Sequence, residues 1–219
     1  MHDLVFLFDV DNTLLDNDVV QDDLKAHLAE NYGAAARDRY WQILEELRSA
    51  LGYVDYLGAL ERYRVEVLHR PEILRMSSWL VDYPFAERLY PGALAALAQA
   101  RRWGPTVILS DGDAVFQPRK VERSGLWRAV EGRVLIYIHK ESELADVERF
   151  YPARHYVLID DKLRILAAVK SIWDARVTTV FVRQGHYARD AEALARYPSA
   201  DVTLERIGDF ATLDRGAFG

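Results

Sequence analysis

Residues 4–15 read Leu4-Val5-Phe6-Leu7-Phe8-Asp9-Val10-Asp11-Asn12-Thr13-Leu14-Leu15. Five apolar residues run without a break and stop at an acid. A short apolar run that ends so abruptly reads as a strand buried on both faces, the habit of parallel sheets covered by helices. Asp9 and Asp11 then project from the strand's carboxyl end, where open α/β sheets gather their ligands. Asn12-Thr13 supplies turn chemistry, and Leu14-Leu15 returns the chain to apolar surroundings. An isolated Asp-x-Asp pair is usually a solvated loop. Here three further strand ends lend it weight.

From Tyr90-Pro91-Gly92 onward, helical and strand patterns alternate. Helices are expected over 93–102, 115–123, 141–150, 163–173 and 191–196. Strands are expected over 106–109, 134–138, 156–159, 178–182 and 201–204. Such alternation implies right-handed βαβ units and a parallel sheet covered on both faces. The strand at residues 4–8 joins the same sheet. The expected fold class is α/β, a Rossmann-like parallel sheet with helices on both faces.

Residues 16–85 break this rhythm. Leu24 and Leu28, then Tyr40, Leu44, Leu47 and Leu51, then Leu57, Leu60, Tyr63 and Val67 recur at helical spacing. Gly33, Gly52 and Pro71 divide the block into four helices. The reading is therefore an α/β core of residues 1–15 and 86–219, interrupted after its first strand by an all-helical insertion of residues 16–85.

Composition narrows the function classes. The 219 residues are 50% hydrophobic, enough for a large core, and the net charge of -6 argues against nucleic-acid and membrane-surface partners. There is no cysteine, which excludes disulfides, thiolate catalysis and zinc–cysteine sites. Nothing reads as a signal peptide or a membrane span, so the expected location is the cytoplasm.

Four strands end in polar groups: Asp9 and Asp11, Ser110, Lys140, and Asp160 with Asp161. In a parallel sheet these ends converge. Carboxylates brought together repel, by about 4 kcal/mol per pair at 4 Å and an effective dielectric near 20. A counter-charge or protonation must relieve them. Mg²⁺ fits, because it takes oxygen ligands and keeps waters that phosphate oxygens can replace. No histidine pair has zinc-ligand spacing.

Asp9-Val10-Asp11-Asn12-Thr13, Ser110-Asp111-Gly112, Lys140 and Leu158-Ile159-Asp160-Asp161 together resemble the four motifs of the haloacid dehalogenase-like hydrolase superfamily. They stand in the same order, each behind a strand, and residues 16–85 occupy the place of that superfamily's C1-type cap. The resemblance implies a mechanism. Asp9 would be the nucleophile, forming an aspartyl-phosphate that water then hydrolyses. Asp11 would be the general acid/base, with its backbone carbonyl on the metal. Ser110 and neighbouring backbone N–H groups, among Asn12, Asp111 and Gly112, would hold phosphate oxygens, and Lys140 would neutralise charge. Asp9, Asp11, Asp160 and Asp161 would form the Mg²⁺ site, with Asp160 the direct ligand and Asp161 acting through water or on Lys140. Lys140 departs from the superfamily pattern, being followed by Glu141 rather than proline.

Plainer roles exist for some of these residues. Ser110, Asp111 or Asp113 could cap the helix that starts near Ala114, and Asp161 could cap the helix at Leu163. His186 reads as a loop histidine, and Trp41 and Trp79 as core. Arg39, Arg48, Arg64 and His69 are either solvated or select an anionic leaving group.

Within the superfamily, Asp11 decides the reading. Dehalogenases lack this second aspartate, because a departing halide needs no proton. An alcohol does. The expectation is a Mg²⁺-dependent phosphomonoester hydrolase for a small phosphorylated metabolite, with residues 16–85 as the lid that selects it. A phosphosugar mutase of the same superfamily and a non-turnover phospho-acceptor switch are the alternatives.

Overall fold

The computed structural model describes residues 1–67 and 73–218. Six strands form one parallel sheet in the order β3-β2-β1-β4-β5-β6. They are β1 (His2–Phe8), β2 (Thr106–Asp111), β3 (Val134–Tyr137), β4 (Ala153–Asp160), β5 (Val177–Val182) and β6 (Val202–Leu204). The sheet order reverses at β1, with β2 on one side and β4 on the other. Ligand sites of open α/β sheets lie at such a switch point.

The apolar run of β1 is buried on both faces as its sequence demands. Leu4, Phe6 and Phe8 enter one hydrophobic cluster, Val5 and Leu7 the other. This is the two-residue period of a strand, with each full burial worth about 1.5–3 kcal/mol. On the Phe6 side lie α5 (Ala93–Arg101) and the C-terminal turns, whose Phe210 and Phe218 stack at 5.5 Å. The Leu7 side is covered by α8 (Leu144–Phe150) and α9 (Leu163–Trp173). Two helices, α6 (Phe116–Arg123) and α7 (Leu126–Ala129), join β2 to β3, and α10 (Ala191–Arg196) precedes β6.

Between β1 and β2 the chain forms α1 (Asn17–Tyr32), α2 (Ala34–Leu51), α3 (Tyr56–Glu66) and α4 (Leu74–Asp82). Gly33 and Gly52 separate them as their lack of a side chain allows, and Asp16 and Asp55 cap α1 and α3 by accepting from Val19 N–H and Gly58 N–H. Pro71, the third expected divider, lies outside the described residues. The two crossings between this insertion and the sheet run side by side. Asp16 N–H donates to Arg88 O at 2.8 Å and Tyr90 N–H to Leu14 O at 2.9 Å. Among the described residues, no helix is long and apolar enough to cross a membrane.

Candidate active site

At the carboxyl edge of the sheet, β1, β3 and β4 deliver Asp9, Lys140 and Asp160 to one point. Lys140 Nζ is 2.5 Å from Asp9 Oδ1 and 2.6 Å from Asp160 Oδ2, and its side chain is almost sealed from solvent. Burial alone would drag this ammonium down, but the carboxylates of Asp160, Asp9 and Asp111 hold it well above its ordinary value. Its backbone N–H donates to Asp111 Oδ1 at 2.7 Å. Lys140 is therefore the hub of the cluster.

Asp9, Asp160 and Asp161 each present a carboxylate oxygen within 4.8 Å of the others. Asp160 Oδ1 accepts from Lys162 N–H at 2.8 Å, which is the only service this pair gives to the start of α9. Asp161 caps nothing. Both its oxygens, and Asp9 Oδ2, are buried without a hydrogen bond. Burial pushes the carboxyl groups of Asp160 and Asp161 upward, and the neighbouring acids add to the push, against the pull of Lys140 and Lys162. Buried carboxylate oxygens left unbonded suit a hard cation. Charge points the same way: Asp9, Asp11, Asp111, Asp160 and Asp161 outnumber Lys120, Lys140 and Lys162 by two.

Asp11 takes a different direction from its neighbour. Its carboxylate is clasped by Lys120 Nζ at 2.7 and 2.9 Å, with Gln117 Nε2 at 3.4 Å. Lys120 is fully buried and also donates to Asn17 Oδ1 at 3.0 Å. Gln117 reaches Ser110 Oγ at 3.0 Å, so the i and i+3 residues of α6 tie Ser110 to Asp11. The helix itself is capped by Asp113, which accepts from Val115 and Phe116 N–H. Ser110 is thereby free of capping duty.

Asn12 and Gly112 are engaged elsewhere. Asn12 adopts φ 61°, a left-handed conformation that asparagine tolerates, and Gly185 packs so closely on it that a Cβ there would fall 2.5 Å from its side chain. Its Oδ1 accepts from Asn17 and Asp18 N–H and its own N–H donates to Leu15 O, so Asn12 organises the start of α1. Gly112 N–H donates to Tyr137 O in the sheet. His186 bonds Asp18 at 2.6 Å rather than facing the acids. Trp41 and Trp79 pack against the core, the latter stacked on His27. Sequence reading missed Lys120, Gln117 and Lys162. The spacing of Gln117 and Lys120 on a helix that follows Ser110-Asp111-Gly112 was the available signal.

A profile for haloacid dehalogenase-like hydrolases matches residues 4–150. The chain belongs to the haloacid dehalogenase-like hydrolase family. A crystal structure from Burkholderia xenovorans LB400, described as a haloacid dehalogenase-like hydrolase, is 64% identical over 98% of this chain and 100% of that one, with a TM-score of 0.93. Two more distant members share the fold. An L-2-haloacid dehalogenase of Xanthobacter autotrophicus, with chloropropionic acid covalently bound, is 20% identical over 99% of each chain at a TM-score of 0.62. The hydrolase YfnB of Bacillus subtilis, bound to magnesium, is 14% identical over 97% of this chain and 98% of that one at 0.65. No match is found among curated proteins.

Proposed function

We propose that this family member is a Mg²⁺-dependent phosphomonoester hydrolase acting on a small phosphorylated metabolite. The observation that carries the reading is the buried trio Asp9, Asp160 and Asp161 with three carboxylate oxygens left without a partner. Displacement of halide needs neither a cation nor a second acid. Phosphoryl transfer uses both.

Asp9 Oδ2 is free to attack phosphorus while Lys140 holds Oδ1. As the new O–P bond forms, the ester P–O bond breaks, and the departing oxygen takes a proton from Asp11 in its carboxylic-acid form, in which the protonated oxygen gives up its contact with Lys120. Asp11 then accepts a proton from the water that hydrolyses the aspartyl-phosphate. Lys120 and Gln117 fix its position, and Ser110 is coupled to it through Gln117. Asp9, Asp160 and Asp161 would hold Mg²⁺, whose charge would offset that of the phosphoryl oxygens. Asp161 is the better direct ligand, because Asp160 already serves Lys140 and Lys162.

The test is phosphate release from a broad set of phosphorylated metabolites and an aryl phosphate, with Mg²⁺ or EDTA, for wild type and Asp9→Asn. Turnover is expected only for wild type with Mg²⁺. The dehalogenase reading, suggested by the covalent chloropropionate of the Xanthobacter enzyme, predicts chloride release from 2-chloropropionate in EDTA and no phosphate release.

A further inference from the structure

Between the sheet edge and the α2–α3 turn lies a cavity of about 320 Å³ that reaches Asp11 at its floor. Its walls are aromatic, built from Tyr53, Tyr187 and Tyr197. Near the floor, Tyr56 is buried and its hydroxyl makes no well-formed hydrogen bond, with the Asn17 and Gln21 side chains as its polar neighbours. Two acids, Asp11 and Asp111, and three cations line the cavity, and two of the cations are committed. Arg164 pairs with Glu141 at 2.5 Å. Lys162 faces Asp161, Asp9 and Asp160 and lies 4.7 Å above the Tyr187 ring.

Arg48, near the end of α2, is the third. Its guanidinium donates to the Tyr187 hydroxyl, and its nearest acidic partner among the described residues is Glu45, only at 3.5 Å. Arg39 pairs with Glu66 at 2.8 Å, and neither it nor Arg64 is among the residues that line the cavity. His69 lies outside the described residues. The cavity thus has Asp11 and Asp111 in its lining together with one guanidinium that no close carboxylate holds, and Tyr53, Tyr187 and Tyr197 line it as well.

We propose that the leaving group of the substrate carries a carboxylate, and that Arg48 reads it by a two-pronged charge-assisted hydrogen bond; this rests on the phosphomonoesterase reading above. Lys162 and Arg164 are held by carboxylates of the protein, so Arg48 is the lining cation left to meet a second anion on the substrate. The aromatic walls suit a flat spacer between phosphate and carboxylate.

The discriminating experiment uses the full chain with Mg²⁺ and two probes of nearly equal shape, 4-carboxyphenyl phosphate and its methyl ester. The ester is the better leaving group, so reactivity alone favours it. Wild type is expected to prefer the carboxylate about tenfold in kcat/KM, with the difference residing in KM. Arg48→Gln is expected to bring the ratio to one or below, Arg48→Lys to restore part of it, and Arg39→Gln to leave it as in wild type. Equal turnover of both probes by wild type, or a preference that survives Arg48→Gln, overturns the assignment of Arg48. Failure to hydrolyse either probe overturns the phosphomonoesterase reading and this inference with it.

Discussion

A lysine ammonium sealed from water survives only where carboxylates and carbonyls replace its hydration, and Lys120 has Asp11 and Asn17 for that purpose. Lys120→Met leaves Asp11 half-buried and unpaired, and is expected to cost about 3 kcal/mol in urea unfolding. The double variant Lys120→Met/Asp11→Leu is expected to cost less than the sum of the single changes, which a thermodynamic cycle measures. Asp161 behaves oppositely. Its unbonded carboxylate lies against Asp9 and Asp160, so Asp161→Asn is expected to raise the melting temperature in EDTA and to abolish the increase with Mg²⁺ that the proposed function predicts for wild type. Asp9 and Asp160 were legible in sequence because each stands at the end of a strand, and strand ends of a parallel sheet must meet; Lys140 follows β3 by three residues and reaches them from the turn beyond it. Lys120 was not, because a lysine three residues beyond a glutamine on a short helix reads as solvated until the fold turns that face inward.

Among the elements, the short edge strand β6 is fastened by one side chain. Asp201 Oδ2 accepts from Thr179 N–H at 2.8 Å, Thr179 Oγ1 at 2.9 Å and Lys170 Nζ at 2.9 Å. Burial pushes this carboxyl upward, but these bonds outweigh it and hold it below the usual range. A carboxyl lowered in the folded state contributes stability that is complete above its unfolded pKa, near ~4, and vanishes as pH falls through the folded value. Asp201→Ala is therefore expected to lower stability by about 1–2 kcal/mol at pH 7, with the gap to wild type closing below pH ~4. Urea midpoints at pH 7, 5 and 3 measure it. Elements with a strong period, such as β1 and α9, could be read from sequence to within a residue or two. The stretch after β3 could not: Lys140–Ser142 is a separate 3-10 turn, which lets Lys140 point inward before α8 begins.

At the scale of the molecule, the insertion meets the sheet edge through small, specific contacts. Gly52 has φ 81° and lies so close to His139 that a Cβ would fall 2.6 Å from the ring. Gly52→Ala combines left-handed strain with that clash. It is expected to cost about 1–2 kcal/mol and to increase hydrogen exchange across α2 and α3. The helices between β1 and β2 were legible because their period interrupts the strand rhythm, but the contacts that hold them to the sheet edge were not, since Arg48 and Tyr187 are far apart in the chain.

The sheet order carries a consequence for biosynthesis. β1 bonds only to β2 and β4, and the first of these begins at Thr106. At roughly 5–20 residues per second, the ribosome leaves Leu4–Phe8 without its permanent neighbours for several seconds. An uncharged, β-prone pentapeptide is a ready template for mispairing during that interval. Helices α1, α2 and α3 pack chiefly on one another and emerge immediately afterwards, so they are the first structure able to shelter it. A lesion that slows their folding is therefore expected to show itself as insoluble nascent chain before it shows itself as lost catalysis.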